Sequence, residues 1–129
     1  MALTARPNGK SILVVDDHPG VRLTVSMVLS REGYSVTRAG DVPSAAAALE
    51  GTDFAAIVTD LRMPGPPGLA LVEEVERRGL RTPVILMSGS LEDLDREDER
   101  VDRLAGLLGK PFSLETLRSL VRAVTWARH

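Results

Sequence analysis

The chain has 129 residues, 43% of them hydrophobic and 26% charged, with a formal net charge of −2. That is the size and balance of one soluble globular domain whose core needs no metal or disulfide staples. The absence of cysteine excludes a disulfide scaffold, thiol chemistry and cysteine metal ligation, while the mild acidity and 3% aromatic content argue against a nucleic-acid partner, which requires basic patches or stacking platforms.

The opening MALTARPNGK lacks the apolar core of a signal peptide, and no apolar run approaches the roughly 18 residues that a membrane span needs. Residues 1–9 read as a flexible lead-in, residues 10–128 as the domain, the cytoplasm as its default location, and a membrane is not expected as a partner. Five short apolar runs then alternate with helix-period segments, the pattern of a parallel sheet with helices on both faces. The first run, SILVVD (11–16), leads into a helix that starts at Pro19, stops near Gly33 and buries Val21, Val25, Val28 and Leu29. The second, YSVTRA (34–39), precedes the alanine-rich PSAAAALE (43–50), which favours helix, has little bulk to hold it off the sheet and ends at Gly51.

The third run, FAAIVTD (54–60), is followed by MPGPPG, whose prolines and glycines demand a rigid, shaped loop, and by a helix over about 68–78 with Leu69, Val72 and Val75 inward. The fourth, PVILMS (83–88), precedes a fourth helical segment with seven acids and three arginines between Glu92 and Arg103. Only Leu91, Leu94, Val101 and Leu104 are there to bury, and Asp98 stands where an apolar residue would fit. Such a segment reads as a solvated face or as a mobile, partner-reading element. The fifth run, GLLG (106–109), leads to a helix over 114–127 with Ser113 as its N-cap, Leu117, Leu120, Val121 and Val124 at helical spacing, and Trp126 near its end.

Ligands of open parallel sheets bind at the carboxyl ends of the strands. Five polar residues fall there: Asp16 and Asp17 after the first run, Asp60 at the end of the third, Ser88 at the end of the fourth and Lys110 after the fifth. Three crowded carboxylates repel one another, and a hard divalent cation removes the conflict. Oxygen-only ligation selects Mg²⁺, with Mn²⁺ as the alternative. Asp60 then suits a nucleophile toward phosphorus, Lys110 a compact charge for a phosphoryl oxygen, and Ser88 a hydroxyl donor to another.

VVDDHP, VTDLRMPG, ILMSGS and GKPF, taken together and in this order, resemble the response regulator receiver domain of bacterial two-component signalling, over nearly the whole chain from about Lys10 to Arg128. The resemblance implies a doubly wound, flavodoxin-like α/β fold with strand order 2-1-3-4-5. It implies Asp60 as phosphoacceptor, Asp16, Asp17, Asp60 and the backbone carbonyl of Arg62 as Mg²⁺ ligands, Ser88 and Lys110 on the phosphoryl group, and a cis peptide before Pro111. It also implies a histidine kinase or histidine phosphotransfer protein as donor, and a downstream partner or a homodimer meeting residues 91–127.

Some positions depart from the usual pattern. Leu107 stands where such domains commonly carry an aromatic switch residue, and it is expected to pack against the last helix. Activation is then expected to rely on Ser88 and on movement of the segment after it. Gly89, where alanine is frequent, leaves that segment free. Arg62 and Ser90 occupy positions that in similar domains tune phosphoryl lifetime, and His18 reads as a turn residue opening the first helix.

The expected function is a phosphorylation-dependent switch that catalyses only its own phosphorylation and dephosphorylation. It reads as a stand-alone protein or as a receiver excised from a larger hybrid kinase or regulator, with Met1 favouring the first. A Mg²⁺-dependent aspartyl phosphatase would place a second acid two residues after its nucleophile, where this chain has Arg62. A flavin carrier would need a phosphate-cradling loop after the first strand, where this chain has DDHPG.

Overall fold

The apolar runs become five parallel strands, β1 (Ser11–Val15), β2 (Ser35–Ala39), β3 (Ala56–Asp60), β4 (Val84–Ser88) and β5 (Gly106–Gly109). They alternate with α1 (Pro19–Arg31), α2 (Val42–Gly51), α3 (Ala70–Arg77), α4 (Glu99–Asp102) and α5 (Leu114–Trp126) in a computed structural model that describes residues 8–126. The sheet order is β2-β1-β3-β4-β5, as expected, so the chain reverses its winding direction after β2. Register sets Val14 beside Val58, Thr59 beside Leu86 and Asp60 beside Met87, which brings the carboxyl ends of β1, β3 and β4 to one edge.

Alternation along the strands divides the core between the two faces. Ile12, Val14, Val58, Ile85, Met87 and Leu108 meet Val25, Val28 and Leu29 of α1 and Leu117 and Val121 of α5. Leu13, Val15, Ile57 and Val84 meet Ala45 and Leu49 of α2 and Leu71, Val72 and Val75 of α3. A smaller cluster on this second face, Leu61, Leu69, Leu86 and Leu94, takes in Val101, Leu104 and Leu107. Leu107 therefore packs beneath α4 rather than against α5 as expected. Its neighbour Leu108 points to the α5 side, and side chains on a strand alternate.

Local signals place the helix ends. His18 caps α1, its Nδ1 accepting from the Val21 N–H at 3.3 Å, and Pro19 takes the first position, where no N–H is needed. Gly33, at φ 95°, ends that helix in the left-handed region. Asp41 caps α2, and the Ser113 hydroxyl accepts from the Thr116 N–H at 3.0 Å at the start of α5. The fourth helix departs most from expectation. In place of one amphipathic helix there is a 3₁₀ turn over Leu91–Asp93 and a four-residue α4 with no buried residue. Asp98 is its N-cap, which explains an acid where burial would favour an apolar side chain. The proposed boundary at Arg128 and residues 1–7 of the lead-in lie outside the described residues.

Candidate functional site

Asp16 continues the β1 ladder, its N–H donating to the Ala39 carbonyl at 3.1 Å, and its side chain is fully buried. A buried carboxylate must be satisfied, and this one is. Oδ1 accepts from the His18 N–H at 2.9 Å and Oδ2 from the Lys110 Nζ at 3.1 Å. Lys110 also reaches Asp60, 3.3 Å from Oδ1. Its own N–H donates to the Ser88 carbonyl at 2.7 Å, which ties the loop after β5 to the end of β4. The Lys110–Pro111 peptide that follows is cis.

One carboxylate oxygen each from Asp16, Asp17 and Asp60 lie within 4.8 Å of one another. Two such charges repel by about 3 kcal/mol at an effective dielectric near 20. Three carboxylates against one ammonium leave an excess of two negative charges. Burial, followed by the charge of Asp16, pushes the Asp60 carboxyl above the usual carboxylate range, against the opposing pull of Lys110. An oxygen-only set with that residual charge suits a hard divalent cation: carboxylates offer about four lone-pair sites each, and Asp16 spends only two.

Asp60, Lys110 and Ser88 line a cleft of about 370 Å³ together with Arg62, Gly89 and Ser90. The Ser88 side chain is buried at its base, and its Oγ accepts from the Ser90 N–H at 3.1 Å. Gly89 has φ outside the left-handed region and open space where a Cβ would stand, so nothing local requires glycine there. All the residues singled out at the strand ends thus share one edge, and the tuning candidates Arg62, Gly89 and Ser90 line the same cleft. Leu107 lies beneath it, in the cluster with Leu86.

Two residues were missed. Gly68 lies so close to β3 that a Cβ on it would sit 2.0 Å from the Asp60 carbonyl oxygen, and its N–H donates to the Leu61 carbonyl at 2.8 Å. A glycine closing a proline-rich loop was the available signal, though sequence gives no measure of the approach. Arg22, one turn into α1, donates from Nη1 to the Asp16 carbonyl at 2.9 Å. No periodicity marks it.

An open parallel sheet with an acidic, lysine-bridged cleft at the strand ends where the winding reverses defines a doubly wound α/β protein with its polar cluster at the switch point. The chain belongs to the response regulator receiver domain family, whose model matches residues 12–122. Among curated relatives it is 32% identical over 127 residues to the transcriptional regulatory protein TcrA of Mycobacterium tuberculosis, covering 93% of this chain and 47% of that one. It therefore spans about half the length of that relative. Among solved structures it resembles the chemotaxis response regulator CheY4 of Vibrio cholerae (29% identity, TM-score 0.80, 89% of this chain and 98% of that). It also resembles the receiver domain of the sensor histidine kinase PA1611 of Pseudomonas aeruginosa, described with a magnesium ion coordinated in its active site cleft (27% identity, TM-score 0.79, 92% and 98%).

Proposed function

We propose that this receiver domain is a switch set by phosphorylation of Asp60. The observation that carries the reading is the placement of the Lys110 ammonium within 3.3 Å of both the buried Asp16 and the more open Asp60, beside Asp17. Asp60 Oδ would attack the phosphorus of a phosphohistidine. A P–O bond forms, the P–N bond breaks, and the donor imidazole leaves with its electron pair and takes up a proton. Lys110 and the Ser88 hydroxyl face the phosphoryl oxygens, and Asp16 holds Lys110 in place. Asp16, Asp17, Asp60 and the Arg62 carbonyl would hold Mg²⁺, or Mn²⁺ in its place, which supplies charge neutralisation when bound. The magnesium described for the PA1611 receiver supports that assignment.

The donor in this reading is a histidine kinase or histidine phosphotransfer protein. A recess of about 610 Å³ bordering Lys110, lined by Val21, Val25, Phe112 and Leu114, offers a protein donor apolar contact area. The output would be altered binding of a downstream protein, or of a second copy, over residues 91–127. Phosphorylation then shifts an existing equilibrium. Among the described residues no helix is long and apolar enough to cross a membrane, which is compatible with a cytoplasmic role. The same switch serves a stand-alone regulator and a module of a longer one.

Incubation with Mg²⁺ and acetyl phosphate, followed by intact mass measurement, tests the reading. Gain of one phosphoryl group by the wild type and none by Asp60→Asn is the expected result. Modification of both would move the acceptor elsewhere. The output surface is tested by charge reversal at Glu97 and Glu99, which are exposed, rather than at Asp98, whose loss would uncap α4. Unchanged partner binding would remove the acidic segment from the interface.

A further inference from the structure

We infer that Arg22 is a positioning residue for the cation site: its guanidinium pins the peptide that joins Asp16 to Asp17 and thereby sets the spacing of the two carboxylates. The inference rests on the proposed Mg²⁺ role of those residues. The backbone groups of Asp16 are held on two sides. Its N–H meets the Ala39 carbonyl at 3.1 Å, and its carbonyl receives Arg22 Nη1 at 2.9 Å. A helical side chain points back toward the N-terminus, so an arginine one turn in reaches over the loop that precedes the helix.

The placement runs against local preference. The positive end of the helix dipole favours acids in the first turn, yet α1 has none there, and an arginine stands one turn in. Room for it is left by Gly40, where a Cβ would stand 3.1 Å from Arg22 Nη1. The backbone of Arg22 is fixed as well: its N–H donates to the His18 carbonyl at 3.0 Å and its carbonyl accepts from the Ser26 hydroxyl at 2.7 Å.

Positioning and bare charge predict opposite signs. A guanidinium near the acids repels Mg²⁺, so its removal would tighten binding if charge were its whole effect. If it holds the Asp16–Asp17 peptide, removal weakens binding, by about tenfold on the scale seen when groups supporting metal ligands are lost. Titration of Mg²⁺ against the amide signals of residues 16–18 and 60–62 reads the affinity without requiring phosphorylation. Arg22→Leu should bind about tenfold more weakly, and Arg22→Lys, which keeps a charged donor, should recover most of the loss. Gly40→Ala, which crowds the guanidinium, should weaken binding about twofold, and it keeps the test alive if the leucine variant does not fold.

Thermal unfolding in EDTA separates this from a structural role. A leucine variant that loses stability there but keeps wild-type Mg²⁺ affinity overturns the inference, as does one that binds more tightly. Wild-type protein whose signals do not respond to Mg²⁺ would overturn the magnesium reading itself, and the inference with it.

Discussion

Gly68→Ala tests how tightly the loop after β3 is built against Asp60. The added methyl would sit 2.0 Å from the Asp60 carbonyl oxygen, 3.0 Å from its carbon and 2.9 Å from Thr59 Oγ1. Ordinary carbon contacts begin near 3.5 Å, so the backbone must separate by more than an ångström. Two of the three obstructing atoms are backbone, and no rotamer change relieves them. Overpacking of this kind costs about 2–3 kcal/mol, which for a domain of this size lowers the melting temperature by roughly 6–10 °C. The displaced atoms belong to the proposed nucleophile, and a misplacement of about 1 Å is worth up to a hundredfold in rate. Urea unfolding and the rate of mass gain with acetyl phosphate measure the two effects. Gly89→Ala is the control, since no atom lies within 4 Å of its Cβ position and it should change stability by less than about 0.5 kcal/mol. An alanine at 68 with wild-type stability and rate would refute the close approach.

Three further perturbations read the charges. Lys110→Met leaves the fully buried Asp16 carboxylate without its ammonium. Stability measured in EDTA should fall by about 3 kcal/mol, less in saturating Mg²⁺, and phosphorylation should slow about a hundredfold. Asp60→Asn should stabilise the cation-free protein at neutral pH. Because burial and Asp16 raise the folded carboxyl above its ordinary range, its protonated form favours the native state. That contribution is full below the ordinary value and lost as pH rises through the raised one, so the gain should vanish below about pH 4 in urea titrations. Asp98, hydrogen-bonded to Arg100, is held down to about 2. A depressed carboxylate supports the fold above its ordinary pKa, so the protection of amides 99–103 relative to the unfolded chain should hold down to about pH 4 and fall toward pH 2. Unchanged protection over that window would show that the cap does not hold α4.

Strand positions, the starts of α1 and α5 and the strand-end residues were legible because each rests on a local rule. Continuous apolar runs mark buried parallel strands, Pro19 marks a first turn, and acids at the ends of such runs fall at one edge whatever the details of packing. The shared edge of Asp16, Asp17, Asp60, Ser88 and Lys110 was legible in this way, and the family resemblance added the cis peptide before Pro111. Gly68 and Arg22 were not found, since each matters through a contact across the fold that no spacing encodes. The packing of Leu107 was misjudged for a related reason. Which face a strand residue takes depends on register, and a four-residue β5 that begins and ends in glycine gives too few alternating side chains to fix it.

The fourth segment shows how local chemistry displaced a helical pattern. Leu91, Leu94, Val101 and Leu104 have helical spacing, yet two aspartates between them bond their own backbone: Asp95 Oδ1 accepts from the Glu97 N–H and Asp98 Oδ1 from the Arg100 N–H, both at 2.9 Å. Such turns compete directly with helix, and here they cut the segment into a 3₁₀ turn and one helical turn. Val101 and Leu104 still pack at the edge of the cluster that holds Leu69, and two ion pairs join this segment to α3: Arg100 to Glu73 at 2.8 Å and Arg103 to Glu76 at 2.9 Å. Exposed pairs of this kind contribute roughly 0.2–1 kcal/mol each and weaken with salt. The chain leaves Ser88 for this weakly held segment, whereas the loop after Asp60 is clamped by Gly68 and runs into α3, which buries Leu71, Val72 and Val75. Of the two segments that leave the cleft edge, the one after Ser88 is thus the less firmly anchored.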